Sequence, residues 1–368
     1  MRTIKVFGFP SHGSTTRTSG VDFVRVIQPI ALLNNYTHKD VQFETRVFDP
    51  TKQTDQAKWD KIADEYDVIY LNYVNNPRQF AAAGAMAKHF HKTIICDLDD
   101  NLWNIKKDNQ AYNVYKPRSA GIYDMTQILK VVDHVTTTNS YLKNAIIQYT
   151  GIRHEKVTAI PNYIDLDNKY IWRFPAKPNT HEFIIGHFGS TTHFLSQHEK
   201  PFVEGVSRFL DDYPEAKLRA IGSFISSLKH KWGRRYETLF GHQDIYEWIN
   251  KKYPETLKDI DVFVTPLTLD VYNRSKSSVK YLEASAMKKP GVWQRIRQYE
   301  EIVDPGVNGY LAENADDWYN SLVELFEYKK RLEVGEAAFK TVEDDWTIQK
   351  HLGDYADMIV SCIDNKEE

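Results

Sequence analysis

Asn273–Pro290, NRSKSSVKYLEASAMKKP, follows the apolar run Asp261–Leu267 (DVFVTPL) and reads as a buried strand, a polar loop and a helix. The spacing puts Lys276, Lys280 and Glu283 on one helical face, and Val279, Leu282 and Ala286 on another that can pack on a sheet. Ser275, Ser277 and Ser278 bring hydroxyls to the helix start, with Arg274 just before them. A helix start presents free N–H groups, ammonium groups beside it suit a phosphate, and a carboxylate further along can hold hydroxyls. That combination fits a nucleotide-sugar. The plainer alternative is a solvated, well-capped surface helix. Against it, the cluster follows a core strand and carries Glu283 about two turns along.

Outward from this stretch, short apolar runs alternate with amphipathic ones. In the first half, strands are expected at Ile4–Phe9, Phe43–Phe48, Val68–Tyr73, Thr93–Cys96, His134–Thr138 and Val157–Ile160. Helices are expected between them at Val21–Asn34, Gln56–Glu65, Arg78–Phe90, Met125–Val131 and Ser140–Tyr149. Asp165–Glu182 breaks the rhythm with two prolines, and reads as a linker. The alternation then restarts, with strands at Phe183–Phe188, Lys217–Ile221, Glu237–Phe240, Val262–Pro266 and Gly291–Trp293. Its helices are Ser196–Asp211, Ile245–Lys252, Ser277–Lys288, Tyr299–Val303 and Asp316–Lys329, and the tail Trp346–Ile363 is a last amphipathic helix.

This is an α/β chain of two Rossmann-like, doubly wound parallel-sheet domains. The expected boundaries are residues 1–165, a linker at 166–182, and 183–345. Residues 346–363 are expected to pack back on the first domain. Strand carboxyl ends facing a shared cleft are where such folds bind ligands.

At 368 residues the chain fits two α/β domains better than one core, and 42% apolar residues exclude a disordered chain. The net charge of −3 carries no nucleic-acid signature, although Lys229–Arg235 (KHKWGRR) is locally basic. Two cysteines, Cys96 and Cys362, make neither a disulfide framework nor a four-cysteine zinc site, so a reducing, cytoplasmic setting is the default. The first residues lack a signal-peptide pattern and no run reaches membrane-span length, so no transmembrane segment is expected and peripheral membrane contact stays open.

Two Gly-rich turns add candidates. FIIGHFGSTTH (Phe183–His193) ends a strand in Gly189, Ser190 and Thr191, where backbone N–H groups and hydroxyls can approach a ligand closely. Pro10–Gly20 (PSHGSTTRTSG) precedes a helix that Ser19 and Asp22 are expected to cap. The bland reading of each is an ordinary polar turn.

LRAIGSF, ETLFGHQDIYEWI, DVFVTPL, KYLEASAMKKPGVW and YEEIVDPGVNGYLAENADDW follow one another in that order. The series resembles the C-terminal half of a retaining GT-B glycosyltransferase, similar to glycosyltransferase family 4 (glycosyl transferases group 1). IPNYID (Ile160–Asp165) resembles that family's ending of the acceptor domain. The resemblance implies transfer of a sugar from a nucleotide-sugar to an acceptor hydroxyl, without cofactor. A divalent metal is not expected. It gives Glu283 the role of holding the donor ribose, as the second glutamate of an E-x₇-E motif whose first position is Ser275 here. Ser190 stands where an arginine is common, so Arg274, Lys276 and Lys280 are expected to carry the diphosphate charge and stabilise the leaving group. Gly241 and Tyr246, in GHQDIY, resemble the loop beside the nucleobase. On the acceptor side the resemblance points to Gly13, Ser14 and Gly20, with Arg25 one turn into the helix and aimed at phosphate.

DLDDNLW (Asp97–Trp103) opens a competing reading. Asp97-Leu-Asp99 is a D-x-D triplet, as in metal-dependent GT-A glycosyltransferases, and its oxygens suit Mg²⁺ or Mn²⁺. A one-domain GT-A reading leaves the second α/β unit unexplained, so Asp99 and Asp100 are taken as acceptor-side carboxylates or caps. The expected acceptor is a glycan, a lipid-linked sugar or another hydroxyl compound, with a hydroxymethylated DNA base as an alternative. The departures at Ser275 and Ser190 also leave open a non-catalytic sugar-nucleotide or glycan-binding protein.

Overall fold

The computed structural model describes residues 1–10, 20–48, 64–72, 91–109, 112–167, 182–189, 199–222, 226–239 and 257–367. Two twisted sheets dominate it. The first has the order β2-β3-β1-β4-β5-β6-β7, built from Arg2–Phe9 (β1), Thr37–His38 (β2), Val41–Val47 (β3), Val68–Asn72 (β4), Thr93–Leu98 (β5), His134–Thr137 (β6) and Val157–Ala159 (β7). Every pairing is parallel except the edge pair β2 and β3. The second sheet has the order β10-β9-β8-β11-β12-β13, from Phe183–Gly189 (β8), Ala216–Gly222 (β9), Tyr236–Leu239 (β10), Val262–Thr265 (β11), Gly291–Gln294 (β12) and Tyr310–Ala312 (β13). All its pairings are parallel.

Parallel strands need crossover helices, and helices on both faces explain why these strands are apolar on both sides. Successive residues then face opposite cores. Ile4, Val6, Val68 and Tyr70 join one cluster, while Phe7, Phe9, Ile69 and Leu71 join the other. In the second sheet Phe183, Ile185, Val262 and Val264 face one way, and Ile184, Phe188 and Phe263 the other. The strand order reverses at β1 in one sheet and at β8 in the other, so the carboxyl ends of those strands lie at the switch points where such sheets open a crevice.

The helix after β1 runs as α over Gly20–Asp22, as π over Phe23–Ile27 and as α again over Gln28–Leu33. The helix candidates Arg78–Phe90 and Ile245–Lys252 lie outside the described residues, as does Gln56–Glu65 up to its last two positions. Several elements departed from expectation: the short strand Thr37–His38 and the helices Tyr112–Tyr115, Ser226–Trp232 and Val271–Arg274 were not anticipated, and the helix expected at Tyr299–Val303 runs over Arg297–Glu300. β13 is only three residues long and was not anticipated. Nor was the helix Tyr328–Asp345, because its buried stripe is Arg331, Val334, Gly335, Ala338 and Val342, which has helical spacing but little apolar contrast. Gly335 is required there, since a Cβ would stand 2.2 Å from the Lys288 carbonyl oxygen.

The final helix, Ile348–Glu367, leaves the second sheet and packs on the first. Ile348, Leu352, Tyr355, Ala356, Ile359 and Ile363 share a core with Ile4, Val26 and Phe43. Each large apolar side chain so buried contributes about 1.5–3 kcal/mol, against about 0–1 for rim ion pairs such as Arg2–Asp364. Apolar packing therefore sets where this helix lies. Its entry runs beside the exit from the first sheet, where Ile164 N–H donates to the Trp346 carbonyl and Ile348 N–H to that of Ile164.

Candidate functional site at the seam between the sheets

β11 ends at Thr265, and the loop after it turns into the short helix Val271–Arg274, capped by Asp270, whose carboxylate accepts from Asn273 N–H at 2.7 Å. The helix Val279–Ala286 follows, with Ser278 at its N-cap making no side-chain cap bond. Lys276 therefore precedes this helix instead of sharing a face with Lys280 and Glu283. Leu282 and Ala286 are fully buried in the second sheet's core. Gly189 is the last residue of β8 and is also buried. Gly222, at the end of β9, has φ +93° and leaves no room for a Cβ, which would meet the Gly189 carbonyl oxygen at 2.5 Å.

Lys280 and Glu283 sit together beside the end of β8. The Lys280 ammonium lies 3.9 Å above the Phe188 ring centre and 4.0 Å from a Glu283 oxygen. Burial pushes the Lys280 pKa down, and Glu283 opposes that. An anion arriving there would restore the ammonium's preference for charge. Beneath them His187 is fully buried, with Nδ1 3.1 Å from the Val264 carbonyl oxygen and no hydrogen-bond partner for Nε2 among the described residues. Burial pushes its pKa down to about 4, and Lys280 adds to the shift, so at neutral pH Nδ1–H donates and the ring is uncharged.

Lys276 reaches the other sheet. Its ammonium is 3.1 Å from Asp100 and lies over the Tyr272 ring at 4.6 Å, and the Tyr272 hydroxyl donates to Asp100 at 3.0 Å. Tyr272 itself is buried in the first sheet's core. Asp99, next to this pair and partly exposed, has its carboxyl pushed well above the usual range, by burial first and then by Asp100 and Asp97. The seam also holds a half-open pocket of about 220 Å³ lined in part by Asn139, Asn162, Ser277, Ser278 and Arg297.

Arg25 is turned away from any phosphate. It is 1% exposed and donates to both oxygens of Asp97, to the carbonyls of Ile160, Pro161 and Thr137, and to Asn162. Asp97 in turn accepts from Thr136 at 2.6 Å and from Tyr70 at 3.3 Å. This saturated hub occupies the first carboxylate of the D-x-D triplet. Among the described residues no group of three or more His, Cys, Asp or Glu side chains could hold a metal ion. Ser275, fully buried, donates to the Val271 carbonyl and accepts from Asn101, so its hydroxyl belongs to the seam. Arg274 and Gly20 are exposed. Gly13, Ser14, Ser190, Thr191, Gly241 and Tyr246 lie outside the described residues.

Sequence reasoning passed over Asn101, Asn139, Tyr272 and Arg297. Asn139 does follow a strand candidate directly, a position at a carboxyl end that marks it for the cleft. Arg297 buttresses the site from behind, donating to the carbonyls of Arg274 and Lys276 at 3.1 and 3.2 Å. In the basic stretch, Trp232 is buried and donates to Ser207, while Lys229, His230 and Lys231 are exposed.

Residues 182–328 match the family described as glycosyl transferases group 1. No curated protein sequence matches the chain. Among solved structures, Anabaena HepE in complex with UDP-glucose is 16% identical, with 97% of this chain and 99% of that one covered and a TM-score of 0.66. A glycosyltransferase from Rickettsia africae is 13% identical over 99% of both chains, with a TM-score of 0.59. The sucrose-phosphate synthase of Thermosynechococcus elongatus is 13% identical over 98% of this chain and 99% of that one, at 0.58. The shared architecture is the GT-B fold.

Proposed function

We propose that the chain is a nucleotide-sugar-dependent glycosyltransferase, a reading supported by the match of residues 182–328 to the glycosyl transferases group 1 family and by the GT-B fold. The observation that carries the reading is the pairing of Lys280 with Glu283 beside the end of β8, at the switch point of the second sheet.

The donor diphosphate lies over the start of the Val279–Ala286 helix, whose first N–H groups meet the phosphate oxygens. Lys280 takes the negative charge that develops as the nucleoside diphosphate departs, and Arg274, exposed nearby, adds to it. Glu283 accepts from the ribose hydroxyls. Ser277 and Ser278 border the diphosphate, while Lys276 stays on Asp100 and holds the seam. Asp99, with its raised pKa, faces the acceptor and orients the attacking hydroxyl. Transfer retains configuration, with the leaving phosphate taking the acceptor proton, and needs no metal. The bound UDP-glucose in Anabaena HepE favours a uridine nucleotide as donor. The acceptor is a glycan or glycoconjugate, and the enzyme acts in the cytoplasm. Among the described residues no helix is long and apolar enough to cross a membrane.

A thermal-shift panel of UDP-, GDP- and ADP-sugars, each with and without EDTA, tests this reading. A UDP-sugar is expected to raise Tm equally in both conditions and to be consumed when an acceptor glycan is supplied. Stabilisation that EDTA abolishes would overturn metal independence, and silence across the whole panel would overturn the donor assignment.

A further inference from the structure

Asparagine recurs just past the carboxyl ends of three neighbouring strands of the first sheet, as Asn101 after β5, Asn139 after β6 and Asn162 after β7. Each side chain is divided in the same way. Its oxygen is used at home: Asn101 Oδ1 accepts from Asn104, Asn139 Oδ1 caps the helix Ser140–Thr150 by accepting from Leu142 N–H, and Asn162 Oδ1 accepts from Arg25. Its nitrogen crosses the seam, that of Asn139 while also donating to Thr138 Oγ1 at 2.9 Å. Asn101 Nδ2 donates to Ser275 Oγ at 3.0 Å, Asn139 Nδ2 to the Ser275 carbonyl at 2.9 Å, and Asn162 Nδ2 to Ser277 Oγ at 2.8 Å.

The partners fix these amide orientations. Leu142 N–H and the Arg25 guanidinium can only donate, the Ser275 carbonyl can only accept, and the Ser275 hydroxyl proton is already committed to the Val271 carbonyl. Asparagine, with one acceptor and one donor on the same short arm, is the residue that meets both demands. Three cross-seam bonds within three consecutive residues amount to a grip on Ser275–Ser277, immediately ahead of the helix that carries Lys280 and Glu283.

We propose that Asn101, Asn139 and Asn162 are positioning residues, a set of two-sided amides that hold the start of the donor helix in fixed register against the acceptor-side sheet. The proposal rests on the glycosyltransferase reading for its consequence in catalysis, and on the seam geometry alone for its mechanical part. It gives Ser275 a purpose in place of the sugar contact that a glutamate would make. Serine is small enough to enter the seam, while its hydroxyl and carbonyl receive two of the three amides. Transfer needs the reacting atoms held within fractions of an ångström, so a seam that loosens is expected to cost rate through the placement of the donor helix, the three asparagines themselves having no assigned substrate contact.

Asn139→Asp and Asn162→Asp test this cleanly, because aspartate keeps the home oxygen and replaces the crossing donor with a second acceptor. Cysteines introduced at exposed Tyr123 and Val307, one on each side of the seam, report separation by paired labels, since both native cysteines are buried. The variants are expected to keep the far-ultraviolet circular dichroism of the parent and to widen its distance distribution. Transfer at low donor concentration is expected to fall about tenfold each, with donor hydrolysis gaining on transfer. Asn139→Gln or Asn162→Gln should recover part of the loss. An unchanged distance distribution overturns the grip, and a widened one with undiminished transfer overturns the positioning role. If the parent shows no transfer to any acceptor, the functional reading fails and the distance measurement still decides the grip.

Discussion

Two charge pairs stand at the carboxyl end of the first sheet, and they differ in kind. Arg25–Asp97 is fully buried, at 1% and 0% side-chain exposure, and nearly every donor and acceptor in it is spoken for by the first sheet's own residues. Lys276–Asp100 keeps 10% and 19% exposure and joins residues from opposite sides of the seam. The two carboxylates come from the same few residues of sequence, DLDD, at the end of β5. Saturation makes the first a structural hub. Residual exposure and a partner across the seam make the second a contact between the two sheets' sides.

That contrast can be broken first at its stronger member. Asp97→Ala leaves the Arg25 guanidinium buried without its counter-charge, and a loss of about 3–5 kcal/mol is expected from urea unfolding. A loss below about 1 kcal/mol would show that the hub is dispensable.

Acid sharpens the comparison by acting on neutral buried groups. His187 in the second sheet and His134 in the first both have pKa values pushed down to about 4, chiefly by burial, against an ordinary 6.5. The unfolded chain therefore binds more protons between those values, and stability should fall as pH drops from about 6.5 to about 4 and level off below. For His187 the full span is about 3 kcal/mol at most. His187→Phe should flatten that slope, whatever it does to absolute stability, and an unaltered slope would remove His187 as its source.

Lys280→Met tests the donor side. The apolar stem can still pack against Phe188, so Tm should hardly move, while donor turnover falls roughly 10²-fold. Equal turnover in parent and variant would move the leaving-group role elsewhere. The smallest effect is expected from Lys276→Met. As a partly exposed pair it should cost about 1 kcal/mol or less in stability, with a few-fold loss of transfer that grows as salt is lowered. A loss as large as that of Asp97→Ala would erase the distinction between the two pairs.

Much of the fold was legible because periodicity records how a residue is buried. Apolar runs such as VIYL and FIIG are two-sided strands of parallel sheets, and Gly189 stands where the end of β8 was expected. The same logic failed for Tyr328–Asp345, whose inward stripe of arginine, glycine and alanine is packed for closeness of approach and shows little hydrophobic contrast. At the site, Lys280 and Glu283 came out together because they are one turn apart on a single helix, which local spacing fixes. Arg25 did not, because its partners lie 72 to 137 residues away and no local pattern points to them.

Short-range period and spacing are enough for two doubly wound sheets, a helix expected at Ser277–Lys288 and the pairing of an ammonium with a carboxylate on it. Tertiary structure alone decided that Arg25 turns inward, that Lys276 is bound by Asp100, and that Ser275 is gripped by Asn101 and Asn139. A side chain's reach is set by its own backbone, but its partner is chosen by which distant loops the two sheets bring to the same seam.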